Sequence, residues 1–172
     1  MNRFPATPGS PNDLYISVIG AGRCTAEQYA LAERVGRLVA ELGAVLVCGG
    51  LSGVMAAAAR GAKEAGGRTL GILPGYDRSD ANKYIDFAVT TGLGHARNLA
   101  VVSSGDAVIA VGGEFGTLSE IGLAAKIGRP VVLLDSWRLQ RDAGTEGLWY
   151  AETPEEAVAL VRRALHLPAT AE

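Results

Sequence analysis

Short apolar runs alternate along the chain with longer segments whose apolar positions recur three and four residues apart. The runs are "LYISVIG" (14–20), "AVLVC" (44–48), "RTLGIL" (68–73), "IDFAVTT" (85–91), "DAVIAVGG" (106–113) and "PVVLL" (130–134). Continuous apolar runs of this length, rich in Val and Ile, are the pattern of strands buried on both faces of a parallel sheet. After the first run, Thr25 opens a helix with Gln28 at capping-box spacing, and Leu31, Val35, Leu38 and Leu42 recur at helical intervals. Further helices are predicted over about 52–65, over "GHARNLAVVSSG" (94–105) and over "TLSEIGLAAKIG" (117–128). Thr153, Pro154 and Glu156 mark the start of a last helix, which runs to about Leu167. The segment 74–84 is polar and reads as an exposed loop, while 136–150 has no clear period.

Strands alternating with helices predict an α/β fold over 14–167 as a single Rossmann-like domain. The sheet is expected to be doubly wound and mostly parallel, with six to seven strands, right-handed crossovers and helices on both faces. Residues 1–13, "MNRFPATPGSPND", lack periodicity and read as a disordered tail, and 168–172 as a flexible C-terminus.

Composition narrows the function classes. The 172 residues are 48% hydrophobic and 20% charged, with a net charge of −2, so there is no basic footprint for nucleic acid. Cys24 and Cys48 are too few for a disulfide framework and have no histidines at zinc spacing, so no metal site is expected and a reducing cytoplasm is the simplest setting. The longest uncharged run, Leu42 to Ala59, is interrupted by Gly49, Gly50 and Gly53, which favours strand–turn–helix over a membrane span. The 23 glycines exceed the usual share of about 7% and cluster after the apolar runs.

Three of these glycine turns fall at the carboxyl ends of strands, where doubly wound sheets bind ligands. The first holds Gly20 and Gly22 at dinucleotide-fold spacing, but the acidic residue expected about 20 positions on is absent, which argues against NAD. Arg23 lies in this turn and could reach an anion. In the second, Gly49 and Gly50 allow close backbone approach, with Gly53 and a potential helix cap at Ser52. Close strand–helix packing explains it equally well. The third is "GGEFGTLSE": Gly112, Gly113, Glu114, Phe115, Gly116 and Thr117 form a turn whose N–H groups and Thr117 hydroxyl suit a phosphate. Glu120 stands three residues after Thr117, so a capping box is the alternative to a functional role. A Walker lysine and a Gly-x-Ser-x-Gly elbow are both missing. His166 is expected to be solvated, whereas His95 stands two residues from Arg97.

Together "CGGLSGVMAAAARGAKEAGG", "HARN" and "GGEFGTLSE" resemble the Lonely guy superfamily, over roughly 14–167. Its members were long labelled "possible lysine decarboxylases", and many are phosphoribohydrolases that cleave the N-glycosidic bond of nucleoside 5′-monophosphates. The resemblance places Arg97 and Glu120 on the family's catalytic pair and Gly116 and Thr117 on its phosphate-binding turn. Two positions depart from the enzymes. Their Pro-Gly-Gly is Gly112-Gly113-Glu114 here, and their Arg-Lys is Arg97-Asn98. A carboxylate near a phosphate matters, because like charges about 4 Å apart near a surface repel by roughly 4 kcal/mol. These departures resemble a sister branch that contains the molybdenum-cofactor carrier proteins.

The expected function is therefore binding of a phosphorylated small molecule, a nucleotide or a molybdopterin-type cofactor, as bound ligand, with no cofactor required. The alternative is a phosphoribohydrolase using Glu120 and Arg97. Lysine decarboxylation is rejected, since Lys63, Lys83 and Lys126 are the only lysines and none falls in a cofactor-binding motif. Apolar stretches in the helices after "HARN" and from Thr117, together with the resemblance, imply a homodimer or homotetramer, with neither nucleic acid nor membrane as a partner.

Overall fold

The computed structural model describes residues 14–140 and 147–168. The expected tail and C-terminus fall outside these, apart from Pro168. Among the described residues seven strands form one sheet: β1 (Tyr15–Gly20), β2 (Val45–Cys48), β3 (Arg68–Leu73), β4 (Phe87–Thr90), β5 (Ala107–Val111), β6 (Val131–Leu134) and β7 (Leu148–Ala151). Their order is β4-β3-β2-β1-β5-β6-β7 and every pairing is parallel, for example Val18 beside Ile109 and Val132 beside Trp149. Five α-helices connect them: α1 (Ala26–Glu41), α2 (Val54–Glu64), α3 (Asn98–Ser104), α4 (Phe115–Lys126) and α5 (Pro154–Ala164).

The central strands read as continuous apolar runs because helices cover both faces. Val35 and Val39 of α1, Ala57 and Ala58 of α2 and Val158 and Val161 of α5 fill one face. Val101 and Val102 of α3 and Ile121 and Ala124 of α4 fill the other. The helices α1 and α2 meet backbone to backbone. A Cβ on Gly36 would lie 1.9 Å from the Ala58 carbonyl oxygen, and one on Gly61 would lie 1.8 Å from that of Glu33. Thr25 forms the predicted capping box: its hydroxyl accepts from the Gln28 N–H at 3.1 Å, and the Gln28 side chain accepts from the Thr25 N–H at 3.3 Å. No helix among the described residues is long and apolar enough to cross a membrane.

The expected mostly parallel sheet of six to seven strands is borne out, with every pairing parallel, and its seventh strand begins within the aperiodic stretch 136–150. Several local expectations are corrected. Ser52 does not cap α2, which starts at Val54 after Gly53, and the Ser52 hydroxyl instead donates to the Gly22 carbonyl at 2.9 Å. Gly53 has φ 65°, and a Cβ there would lie 2.4 Å from the Ala21 carbonyl oxygen, so glycine lets the first two turns press together. The segment 94–105 begins as a 3-10 turn, Gly94–Arg97, before α3. The polar stretch 74–84 holds a 3-10 turn, Arg78–Asp80, and is anchored where the Asn82 amide donates to the Gly50 and Leu51 carbonyls at 3.1 and 2.8 Å.

Candidate functional site

The strand order reverses between β1 and β5, and the turns after β1, β2 and β5 converge there. They border a crevice of about 150 Å³. Eight of the residues singled out in the sequence line it: Gly20, Gly22, Gly49, Arg97, Glu114, Gly116, Thr117 and Glu120. Arg23, Gly50, Ser52, Gly53, Gly112, Gly113 and Phe115 do not. Gly53 and Ser52 fix the shape of the walls. Gly112 and Gly113 border a neighbouring hollow, and the Phe115 ring packs against Trp137.

The pair at the crevice floor is Arg97 and Glu120. Arg97 ends the 3-10 turn before α3, Glu120 lies in the second turn of α4, and their side chains are each 9% exposed. Arg97 Nη1 stands 3.8 Å from Glu120 Oε1 and donates to the Asn98 side-chain oxygen at 2.5 Å, while Nη2 donates to the Gly49 carbonyl at 3.4 Å. Arg97 Nε is buried and has no hydrogen-bond partner among the described residues, and a buried guanidinium N–H left without a partner is costly. Burial pushes the Glu120 carboxyl up to about 7 despite the opposing pull of Arg97. Burial also pulls Arg97 below its ordinary value, against the attraction of Glu120.

Gly49 is glycine for a steric reason. A Cβ there would lie 2.6 Å from both Arg97 Nη2 and Met55 Sδ. Beneath it, burial drives the Cys48 thiol up to about 11, which keeps it protonated and unreactive.

The capping-box alternative for Glu120 is not realised. Helix α4 starts at Phe115 with Glu114 as its N-cap, so Thr117 is the third helical residue and is buried. The Glu114 side chain makes no capping bond, which leaves the first N–H groups of α4 without a side-chain cap. Gly116 and Thr117 bring that helix start, with its partial positive charge, to the crevice. Glu114 itself is exposed and lies at the rim.

Sequence reasoning missed Met55, which lines the crevice with Ile19 and Ala21, while Asn98, noted in the sequence only as a departure from the enzymes, and His95 line it as well. Met55 and Asn98 belong to the stretches "GGLSGVM" and "HARN", at the starts of α2 and α3.

Comparison with known proteins places this fold in a defined class. The SLOG cluster4 family matches residues 13–158, and the chain belongs to it. A protein of Archaeoglobus fulgidus is 48% identical over 145 residues, covering 84% of this chain and 92% of its own. Among solved structures, the molybdenum cofactor binding protein of Rippkaea orientalis is 39% identical at a TM-score of 0.83, over 88% of this chain and 96% of that one. The molybdenum cofactor carrier protein of Chlamydomonas reinhardtii is 35% identical at 0.81, over 90% and 99%. The resemblance to the branch containing the molybdenum-cofactor carriers is thus borne out.

Proposed function

We propose that this protein binds a phosphorylated small molecule of the molybdopterin class in the β1–β5 crevice and carries it rather than transforming it. The observation that supports this most is the buried Arg97 guanidinium, with its unpartnered Nε, beside the uncapped start of α4. The carrier proteins of Chlamydomonas and Rippkaea support the same ligand class. A crevice of about 150 Å³ is smaller than the 300–1,000 Å³ that encloses a whole drug-sized ligand, so it takes the anionic end and leaves the remainder outside. Gly20, Gly22, Gly49, Gly116 and Thr117 form the walls around that end. Native mass spectrometry of the purified protein tests this reading: a pterin phosphate is expected to co-purify, and Arg97→Met should lose it. An empty protein that also fails to bind added pterin phosphate would refute the proposal.

Glu120 favours a second reading. A carboxyl with a pKa of about 7 beside an arginine can exchange a proton at neutral pH, as a phosphoribohydrolase requires. Release of adenine from AMP, abolished by Glu120→Ala, would establish that activity and displace the pure-carrier reading.

We further propose that 14–167 is one domain of a cytoplasmic homodimer or homotetramer. Phe87 and Val89 on edge strand β4, with Leu93 and Leu99 nearby in the chain, are exposed apolar side chains that support association. A monomer in sedimentation would refute it.

A further inference from the structure

A second hollow of about 300 Å³ lies beyond the carboxyl ends of β5 and β6, lined by Gln28, Gly112, Gly113, Asp135, Ser136 and Trp137. Gly112 and Gly113 border it and Glu114 borders the crevice, so a single turn separates the two. The hollow's side-chain amide and hydroxyl are already committed. The Gln28 amide caps Thr25 and donates to Asp135 Oδ2 at 3.1 Å, and the Ser136 hydroxyl donates to the Gly112 carbonyl at 2.5 Å. Asp135 is different. It is solvent-exposed, and among the described residues its Oδ1 has no hydrogen-bond partner and no cation pairs with it, so that oxygen is open to a ligand. Arg138 follows closely in sequence but is engaged elsewhere, 3.1 Å from Glu152 and over the Tyr150 ring.

Asp135 also has φ 46°, in the left-handed region that glycine shares with few other residues, Asp among them. Beside it, the Trp137 ring forms a wall. The Phe115 ring, 78% exposed, extends that aromatic surface, with centroids 5.6 Å apart and planes at 40°.

An acceptor-only carboxylate beside an aromatic wall selects a flat ring with adjacent N–H donors on one edge. We propose that this hollow is a second binding subsite, specific for the 2-amino-4-oxo-pyrimidine edge shared by pterins and guanine. Asp135 would accept from the ring N–H and the exocyclic amine, with the ring against Trp137 and Phe115. The inference extends the carrier reading by giving the part of the ligand left outside the crevice a place to dock.

The test uses probes without phosphate, so its result is independent of the crevice. In the Trp149→Phe variant, Trp137 is the only tryptophan. Titration with 6-hydroxymethylpterin is expected to quench its fluorescence. Guanosine tests the nucleotide source of the same edge. Lumazine, which replaces the amine by a carbonyl, should bind at least about tenfold more weakly. Asp135→Gly relaxes the backbone and should keep the fold while weakening both amine-bearing probes about tenfold or more. Phe115→Ala, at an exposed position, should weaken them through lost stacking. Quenching by neither pterin nor guanosine, equal binding of lumazine, or unchanged binding in Asp135→Gly would each overturn the proposal. The carrier reading stands or falls separately on the phosphorylated ligand.

Discussion

Arg97 and Glu120 face each other at 3.8 Å with both side chains nine-tenths buried, one before α3 and the other in α4. Neither is fully compensated. The arginine keeps an unpartnered Nε, and burial outweighs the arginine's attraction in holding the Glu120 carboxyl near 7.

This arrangement makes stability depend on pH. Glu120 has a raised native pKa, about 7 against an ordinary 4.5, so between those values the folded chain binds more protons than the unfolded one. Stability therefore falls as pH rises through that window, by up to about 3 kcal/mol from this group. Denaturant melts at pH 5 and pH 8 should show the decline. Glu120→Gln should flatten it, even if leaving Arg97 unpaired lowers stability at both pH values.

Gly49→Ala should separate binding from folding. Its Cβ would intrude on the side-chain ends of Arg97 and Met55 rather than on backbone. The melting temperature is expected to change by only a few degrees, while affinity for a phosphorylated ligand drops about tenfold or more as the guanidinium is displaced. Calorimetric titration beside thermal melts reads both.

Two helical glycines should respond oppositely. Gly36→Ala drives a Cβ into the α2 backbone and should destabilise by about 3 kcal/mol or more. Gly122 is exposed within α4, and a Cβ at that position would meet nothing within 4 Å. Gly122→Ala should stabilise by about 0.5–1 kcal/mol through helix propensity. Chemical denaturation of the two variants checks the contrast.

The exposed ion pair Arg34–Glu155, at 2.7 Å, ties α1 to α5 but with both side chains about half exposed. Arg34→Met should cost less than about 1 kcal/mol, and less still at high salt, in the same denaturation assay.

Period and turn chemistry made the first six strands legible in the sequence, because each is a continuous apolar run between glycine turns. The Thr25–Gln28 capping box was equally legible, since both partners sit within one helical turn. Strand β7 was not: "LWYA" is a short, mostly half-buried stretch whose strand character comes from pairing beside β6 rather than from its own pattern. The starts of α2 and α4 were misplaced because cap signals at Ser52 and Thr117 compete with backbone geometry. The positive φ of Gly53 delays α2, and α4 begins two residues before Thr117. In the site, the sequence supplied Arg97, Glu120 and the glycines as motif members, which is local information. It determined by itself the parallel α/β architecture and the placement of three glycine turns at the carboxyl ends of strands. Only the tertiary structure decided that Glu120 meets Arg97 instead of capping its own helix, that Phe115 turns to Trp137, and that Asp135 keeps a carboxylate oxygen free among the described residues. Each of these depends on how separate strand ends converge, and residues distant in sequence acquire their electrostatic surroundings only once the sheet brings them together.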